Sequence, residues 1–289
     1  MANLKEIRNR ISSVSSTMQI TSAMKMVSAA KLKKAQDAIT AMRPYSEKLT
    51  ELLQNLSATL DADSGSEYSE QREVNKVLMV AITSNRGLAG AFNSNIVKGV
   101  RAASESMFAG KQIDFITLGK KGNDIFKKTG NVIENNNAIF DDLTFENVSE
   151  IAEKLMELYK KGAYDKIILV YNNFRNAATQ IVMTEQFLPI LPPKIDENAK
   201  KQETFYIFEP SKEEIVSALI PKSLKTQLFK ALRDSVASEH GARMTAMHKA
   251  TDNATELRDD LKLKYNKARQ ASITNEILEI VGGAEALAG

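Results

Sequence analysis

The first sixty residues carry the apolar spacing of a long amphipathic helix. Apolar side chains recur three or four positions apart, at Leu4, Ile7, Ile11, Val14 and Met18. This spacing keeps them on one helical face. Residues 1–60 contain no glycine and a single proline, Pro44. We therefore predict one long helix over residues 1–60.

The end of the chain repeats this pattern. Apolar positions again lie three or four apart, at Met247, Ala250, Ala254, Leu257, Leu261, Tyr265 and Ala268. We predict a second long helical segment over residues 211–289, with a kink or a helix start at Pro221. A helix over 222–281 would be roughly 90 Å long, which a small domain cannot bury. Two such helices at opposite ends of a chain most simply form an antiparallel coiled coil.

The middle of the chain, residues 74–208, has a different period. Short continuous apolar runs at 77–82, 113–118 and 166–171 are typical of buried strands. Further strands are predicted at 179–187 and 204–208, and helices near 91–109, 120–129 and 146–161. Strands that alternate with helices favour a mostly parallel sheet. The predicted fold class is α/β: a central Rossmann-like domain over 74–208, joined to the coiled coil of the N- and C-terminal helices by a polar, acidic linker that begins at Asp61.

Composition narrows the chemistry that this chain can perform. The 289 residues include no Cys, which excludes disulfides, iron–sulfur clusters and a thiol nucleophile. The two histidines, His240 and His248, lie eight residues apart without a third ligand. We therefore expect no metal site and no cofactor. The formal net charge of +3 is too small to indicate nucleic-acid binding by itself.

No phosphate-binding fingerprint is present. The sequence has neither G-x-x-x-x-G-K-S/T nor G-x-G-x-x-G. The segment 87–90, G-L-A-G, follows the first predicted strand and would be able to seat an anion on free amides. A tight turn that packs a helix against a strand is the favoured interpretation. The acidic pair Asp141 and Asp142 is better explained by turn chemistry than by catalysis, so the chain shows no active site of its own.

Two other functions stay open on these observations. One is a nucleotide-binding α/β protein with a helical oligomerisation arm, which needs a phosphate-binding loop at 86–91. The other is a coiled-coil scaffold that binds nucleic acid through the basic N-terminal helix. Residues 1–60 hold nine basic and four acidic residues, and Lys31, Lys33 and Lys34 form a small basic patch. No aromatic residues interleave with that patch, so we expect no nucleic-acid partner.

The N-terminus lacks the apolar run of a secretory signal. No stretch of the sequence approaches the ~20 apolar residues that cross a bilayer. We expect a soluble protein that reaches a membrane only through a partner.

Three groups of segments resemble the gamma subunit of rotary ATP synthases. The first comprises residues 7–14 and 17–32 near the N-terminus. The second, S-N-R-G-L-A-G-A-F-N at 84–93, is similar to that family's S-D-R-G-L-C-G-x-x-N. The third and most specific comprises residues 237–254, 265–276 and 279–284. The resemblance covers the whole chain in order, with two departures: Asn85 stands for the usual Asp and Ala89 for the usual Cys.

The resemblance implies a non-catalytic rotor subunit of the proton-translocating ATP synthase. The paired helices would turn inside a ring of three alpha and three beta subunits. The central domain would rest on the epsilon subunit and the c-ring of the membrane sector. Proton flow would thereby drive ATP synthesis in the beta subunits and influence their ATPase activity. The complex would place the chain at the cytoplasmic face of a bacterial membrane; a mature mitochondrial chain is the second possibility, and the lack of Cys argues against a thiol-switched chloroplast form.

The resemblance also implies which residues contact the beta subunit. Arg269 and Gln270 would make polar contacts to a loop of beta. Two further residues, Thr274 and Glu276, would belong to the same surface. Met24 would face beta from the N-terminal helix, with Arg243 near it on the opposing helix. The alternative for Arg243 is that it only joins the two helices to each other.

Overall fold

The computed structural model describes residues 4–57, 67–190 and 212–288. The helices in this part of the chain are α1 (Leu4–Ser57), α2 (Phe92–Met107), α3 (Lys120–Thr129), α4 (Phe145–Lys160) and α5 (Lys212–Ala288). The strands are β1 (Lys76–Ile82), β2 (Gln112–Leu118), β3 (Asn131–Asn136), β4 (Lys166–Phe174) and β5 (Gln180–Leu188). A short 3₁₀ turn, Ala138–Phe140, precedes α4.

The strands form one sheet in the order β3-β2-β1-β4-β5. The pairs β1–β2, β1–β4 and β2–β3 are parallel, and β5 runs antiparallel to β4 at the edge. Val80 of β1 lies opposite Ile116 on one side and Leu169 on the other. The predicted α/β fold with a mostly parallel sheet is confirmed.

Helices cover both faces of this sheet. On one face, Leu78, Val80 and Ile82 belong to a buried cluster with α4 and with residues 220–232 of α5. On the other face, alternate residues of β1 are buried in a cluster with α2 and α3. A strand buried on both faces must be apolar throughout, which is why β1 has a continuous apolar run. The first part of α5 is therefore a layer of this domain.

The chain divides into two compact units. Residues 30–242 form one, which we call the α/β unit, and residues 1–29 together with 243–289 form the other, the helix-pair unit. The predicted division into 1–60, 74–208 and 211–289 stays a prediction. Its boundaries fall largely on residues 58–66 and 191–211, which lie outside the described residues, as does the strand predicted at 204–208.

The long C-terminal helix continues through Pro221. The sequence suggested a kink or a helix start at Pro221, whereas α5 begins at Lys212 and contains Pro221. Proline in a helix interior removes one backbone hydrogen bond. Ile220, Leu224 and Leu228 are buried against the sheet around it. Tertiary packing of an apolar face supplies most of a helix's stability, and here it outweighs the missing bond.

The helix-pair unit is an antiparallel coiled coil, as predicted. Arg8 Nη2 donates to the Tyr265 hydroxyl over 2.7 Å, and the hydroxyls of Thr21 and Thr251 are 2.8 Å apart. As the residue number increases along α1, the number of the contacting residue on α5 decreases, so the two helices run in opposite directions. Ser28 is also buried in α1, so polar groups of small volume are part of the seam between these helices.

Candidate functional site

The carboxyl edge of the sheet is where an open α/β fold would bind a ligand. The chain leaves β1 toward β2 on one side, and it later returns to β4 on the other side of β1. A crevice at such a reversal is the usual ligand site of this architecture. The segment 86–91, which the nucleotide-binding alternative requires, follows β1 at this edge.

Internal hydrogen bonds close the turn after β1. The backbone N–H of Ser84 donates to Asn93 Oδ1 over 3.0 Å, and the Ser84 hydroxyl donates to the Arg86 carbonyl over 2.7 Å. Leu88 has a φ of 63° and Gly90 a φ of 56°, both in the left-handed region. These contacts make a tight turn that holds the start of α2 against β1, which is the interpretation that the sequence favoured.

Helix α5 lies across the same edge. The Ser238 hydroxyl donates to the Asn172 carbonyl over 3.0 Å, and Asn172 Nδ2 donates to the Phe92 carbonyl over 3.2 Å. Ala242 belongs to a buried cluster with Ala89 and Phe92. The crevice between β1 and β4 is therefore packed by a helix of the chain itself.

Side chains also occupy the free amides at the start of α3. Thr83 Oγ1 accepts from the Gly122 N–H over 2.8 Å, and Asn85 Oδ1 accepts from the Lys120 N–H over 3.1 Å. These amides would otherwise be available to a phosphate. Among the described residues, the site that a nucleotide-binding function would need is thus filled by protein groups.

The structure gives a role to the two departures from the family signature. Asn85 also donates through Nδ2 to the Asn137 carbonyl over 2.9 Å, so it joins the turn after β1 to the start of α3 and to the loop before α4. A carboxylate at this position would accept from Lys120 but would face the Asn137 carbonyl with another acceptor. Ala89 is only 2 % exposed beside Phe92, and its small side chain fits the space under Ala242.

Arg243 and Met24 are separated along the helix pair. Lys25 Nζ lies 3.5 Å from His248 Nδ1, so Met24 is level with residues near 249. Arg243 lies about six positions earlier on α5, or roughly 9 Å of helix rise away. Met24 is half-buried, and Arg243 is 8 % exposed. Burial of Arg243 supports the alternative in which it joins the helices.

The other four predicted contact residues lie together on an exposed part of α5. Arg269, Gln270, Thr274 and Glu276 are all exposed. The Thr274 hydroxyl donates to the Gln270 carbonyl over 2.9 Å, and the Ser272 hydroxyl donates to Glu276 Oε1 over 3.2 Å. Residues four or seven apart share a helical face, so Arg269 and Glu276 lie on one face of α5 and Gln270 and Thr274 on another.

Apolar side chains surround these polar ones, and sequence reasoning did not single them out. Ile273, Ile277, Leu278, Ile280 and Val281 are between 44 % and 71 % exposed. A contiguous exposed apolar surface marks a place where a protein partner binds. The signal in the sequence was the group of aliphatic residues between positions 273 and 281 near the C-terminus.

Sequence reasoning also missed a buried carboxylate in the α/β unit. Asp234 of α5 is 2 % exposed, and Asn173 Nδ2 donates to its Oδ2 over 3.0 Å. Burial raises the pKa of Asp234 to about 6, against the opposing effect of Lys230, Arg43 and the Asn173 hydrogen bond. A cavity of about 160 Å³ adjoins it.

No group of three or more His, Asp or Glu residues in the described ranges has the arrangement of a metal site.

Comparison with known proteins gives a consistent result. The profile of the ATP synthase family matches residues 3–287. The chain is 73 % identical over 289 residues to the ATP synthase gamma chain of Flavobacterium johnsoniae and 72 % identical to that of Flavobacterium psychrophilum, with the whole of each chain covered. Its fold is similar to a chain in the cryo-EM structure of the Euglena gracilis mitochondrial ATP synthase, OSCP/F1/c-ring, in rotational state 3. The TM-score is 0.72 at 22 % identity, over 98 % of this chain and 94 % of that one.

Proposed function

Because the chain belongs to the gamma chain family of ATP synthases, we propose that it is the central-stalk rotor subunit of a proton-translocating ATP synthase. It is non-catalytic: it couples proton flow through the membrane sector to ATP synthesis in the beta subunits. The observation that carries this proposal is the helix-pair unit, a long antiparallel coiled coil whose α5 ends in an exposed apolar surface. A shaft requires such a stiff element together with a surface that partners cover.

The proposed partners follow the two units of the chain. The alpha and beta subunits of the catalytic hexamer surround the helix-pair unit, and the epsilon subunit and the c-ring bind the α/β unit. We place the chain at the cytoplasmic face of a bacterial membrane, attached through the complex. None of the helices within residues 4–57, 67–190 and 212–288 combines the length and the apolar character of a membrane span.

The polar surface of α5 suits a contact that forms and breaks during rotation. Arg269, Gln270, Thr274 and Glu276 are exposed, and exposed ion pairs contribute only about 0–1 kcal/mol. A fixed cation at Arg269 is therefore able to pair with a carboxylate of each beta subunit in turn and then release it. Met24 and Arg243 bear on coupling through the helix pair, Met24 from a half-buried position and Arg243 from a buried one.

The nucleic-acid alternative finds less support in the described residues. Lys33 Nζ lies 2.9 Å from Asp37 Oδ1, so one cation of the small basic patch already has a carboxylate partner. The turn after β1 is closed by its own hydrogen bonds and covered by α5, which leaves the nucleotide-binding alternative without its site.

Proton pumping by membrane vesicles tests the proposed function. Vesicles whose complex contains the chain should acidify inside when ATP is added, and vesicles assembled without it should not. Arg269→Ala should lower pumping severalfold at equal complex content, because the transient contact to beta is lost. Fluorescence quenching of a pH-sensitive dye measures both effects.

Lys264→Ala is the matched control. Lys264 is an exposed cation of the same helix, and none of the four contact residues lies three or four positions from it, so its removal should leave pumping unchanged. Equal pumping with and without the chain would overturn the rotor function. Equal pumping by Arg269→Ala and wild type would overturn only the contact.

A further inference from the structure

We propose that Asp234 makes the docking of α1 within the α/β unit depend on pH. Residues 39–46 of α1 dock closely while the Asp234 carboxyl is protonated, and they open more often once it is ionised. This device is independent of the rotor function, since it rests only on contacts inside the α/β unit.

Three elements meet around Asp234. The adjoining cavity of about 160 Å³ is lined by Ile39, Met42 and Arg43 of α1, by Asn173 of β4, and by Lys230 and Asp234 of α5. Ile39 and Asp234 are both almost fully buried. The α1 segment thus forms one wall of the space beside the carboxyl group, so its displacement would admit water to Asp234.

Every element packed there brings a charged or polar group toward Asp234. Lys230 and Arg43 lower its pKa, and Asn173 donates a hydrogen bond to it. The pKa of Tyr171 of β4 is raised by burial, and the Asp234 charge is also near enough to raise it. The Tyr171 hydroxyl donates to Glu185 Oε2 over 2.7 Å. Because Lys230 and Arg43 are exposed, solvent screens their attraction, and burial remains the largest influence on the carboxyl.

Pro44 weakens α1 beside this cavity. Proline has no N–H, so the carbonyl four positions earlier, that of Thr40, has no partner from Pro44 within the helix. The loss falls between Ile39 and Ser46, the same segment that lines the cavity. Local opening is easiest where helix hydrogen bonds are fewest, so this segment is the natural place for α1 to open.

Linkage fixes the direction of the pH effect. Asp234 has a pKa of about 6 when α1 is docked, raised from the ordinary value of 3.8 that exposure to water would restore. Because the carboxyl pKa is higher in the docked state, protonation stabilises docking. This stabilisation is complete at pH values below the ordinary pKa and is lost as the pH rises through the pKa of the docked state. The opening equilibrium constant should increase about tenfold between pH 5 and pH 8.

Amide hydrogen exchange of the full chain measures this opening. Protection factors, which remove the intrinsic pH dependence of exchange, should fall about tenfold over residues 39–46 from pH 5 to pH 8. In Asp234→Asn, which cannot ionise, they should stay constant. Asp37→Asn is the matched control: it removes an exposed carboxylate of the same helix and should keep the wild-type pH dependence.

A second variant tests the proposal even if Asp234→Asn does not fold. Lys230→Met removes a cation that stabilises the ionised carboxyl, so the midpoint of the loss of protection should move to higher pH. Protection that is flat with pH in the wild-type chain would overturn the proposal. So would an unchanged midpoint in Lys230→Met, or a pH dependence that persists in Asp234→Asn.

Discussion

At Gly119 the backbone comes so close to a neighbouring strand end that no side chain fits. Its φ is 114°, and a Cβ placed there would lie 2.2 Å from the Thr83 carbonyl oxygen. The contact joins the end of β1 to the start of α3. Next to this contact, the side chains of Thr83 and Asn85 accept hydrogen bonds from the first amides of α3.

Gly119→Ala should therefore destabilise the α/β unit strongly. The left-handed conformation costs an alanine about 1–2 kcal/mol, and the backbone clash adds to that, for a total of roughly 3 kcal/mol or more. Urea denaturation, followed by circular dichroism, measures the loss. Gly110→Ala is the matched control, because Gly110 also has a positive φ, of 76°, but open space around it; it should cost only about 1–2 kcal/mol. Equal losses would show that the close approach has no energetic weight.

Single residues also show where sequence reasoning reached its limit. The role of Asn85 depends on Asn137 and Lys120, which are distant in sequence and meet only after the sheet has formed. Asp234 is one carboxylate in a long helix, and nothing in the local pattern marks it as buried. The exposed residues Arg269 and Glu276, in contrast, were found through a sequence motif, and their contacts to beta stay a prediction.

Among the elements, those with strong periodicity were predicted and those without it were not. The strand predictions at 77–82, 113–118, 166–171 and 179–187 are confirmed, as are the three helices between them. Strand β3 was missed because N-V-I-E-N-N has no apolar run. Among the described strands it lies at the edge of the sheet, beside β2. Its residues are exposed or half-buried, so this strand needs no continuous apolar run.

Two glycines of α5, Gly241 and Gly283, differ in how closely other residues pack against them. At Gly241 an added Cβ would lie 3.1 Å from the Ala177 carbonyl oxygen, whereas at Gly283 it would meet nothing within 4 Å. Alanine is a better helix former than glycine by about 1 kcal/mol. Gly241 therefore lets α5 cross the edge of the sheet closely, at a cost in helix propensity.

Gly283→Ala should raise the local opening free energy of its helix end by roughly 0.5–1 kcal/mol. Gly241→Ala should give no such gain, because Ala177 must shift to admit the methyl group. Hydrogen exchange of amides within one turn of each site measures both. A comparable gain at the two positions would contradict the close packing of α5 on the turn that follows β4.

At the scale of the whole molecule, the absence of Cys and the scarcity of His agree with a chain that performs no chemistry itself. Its described residues instead form a sheet whose carboxyl edge is covered by α5, and a helix pair with an exposed apolar end. Periodicity alone indicated a mostly parallel sheet and two long terminal helices. It could not indicate that the first part of α5 is a layer of the α/β unit, because that depends on residues 220–232 meeting α4 and the sheet.

Single-molecule rotation is the most direct test of the central claim. The alpha and beta subunits would be fixed to a surface, and a bead would be attached to the α/β unit of this chain. On addition of ATP, the rotor account predicts that the bead turns in one direction, at a rate that follows ATP hydrolysis. A bead that only fluctuates about a fixed angle, while hydrolysis by the same complexes continues, would contradict it.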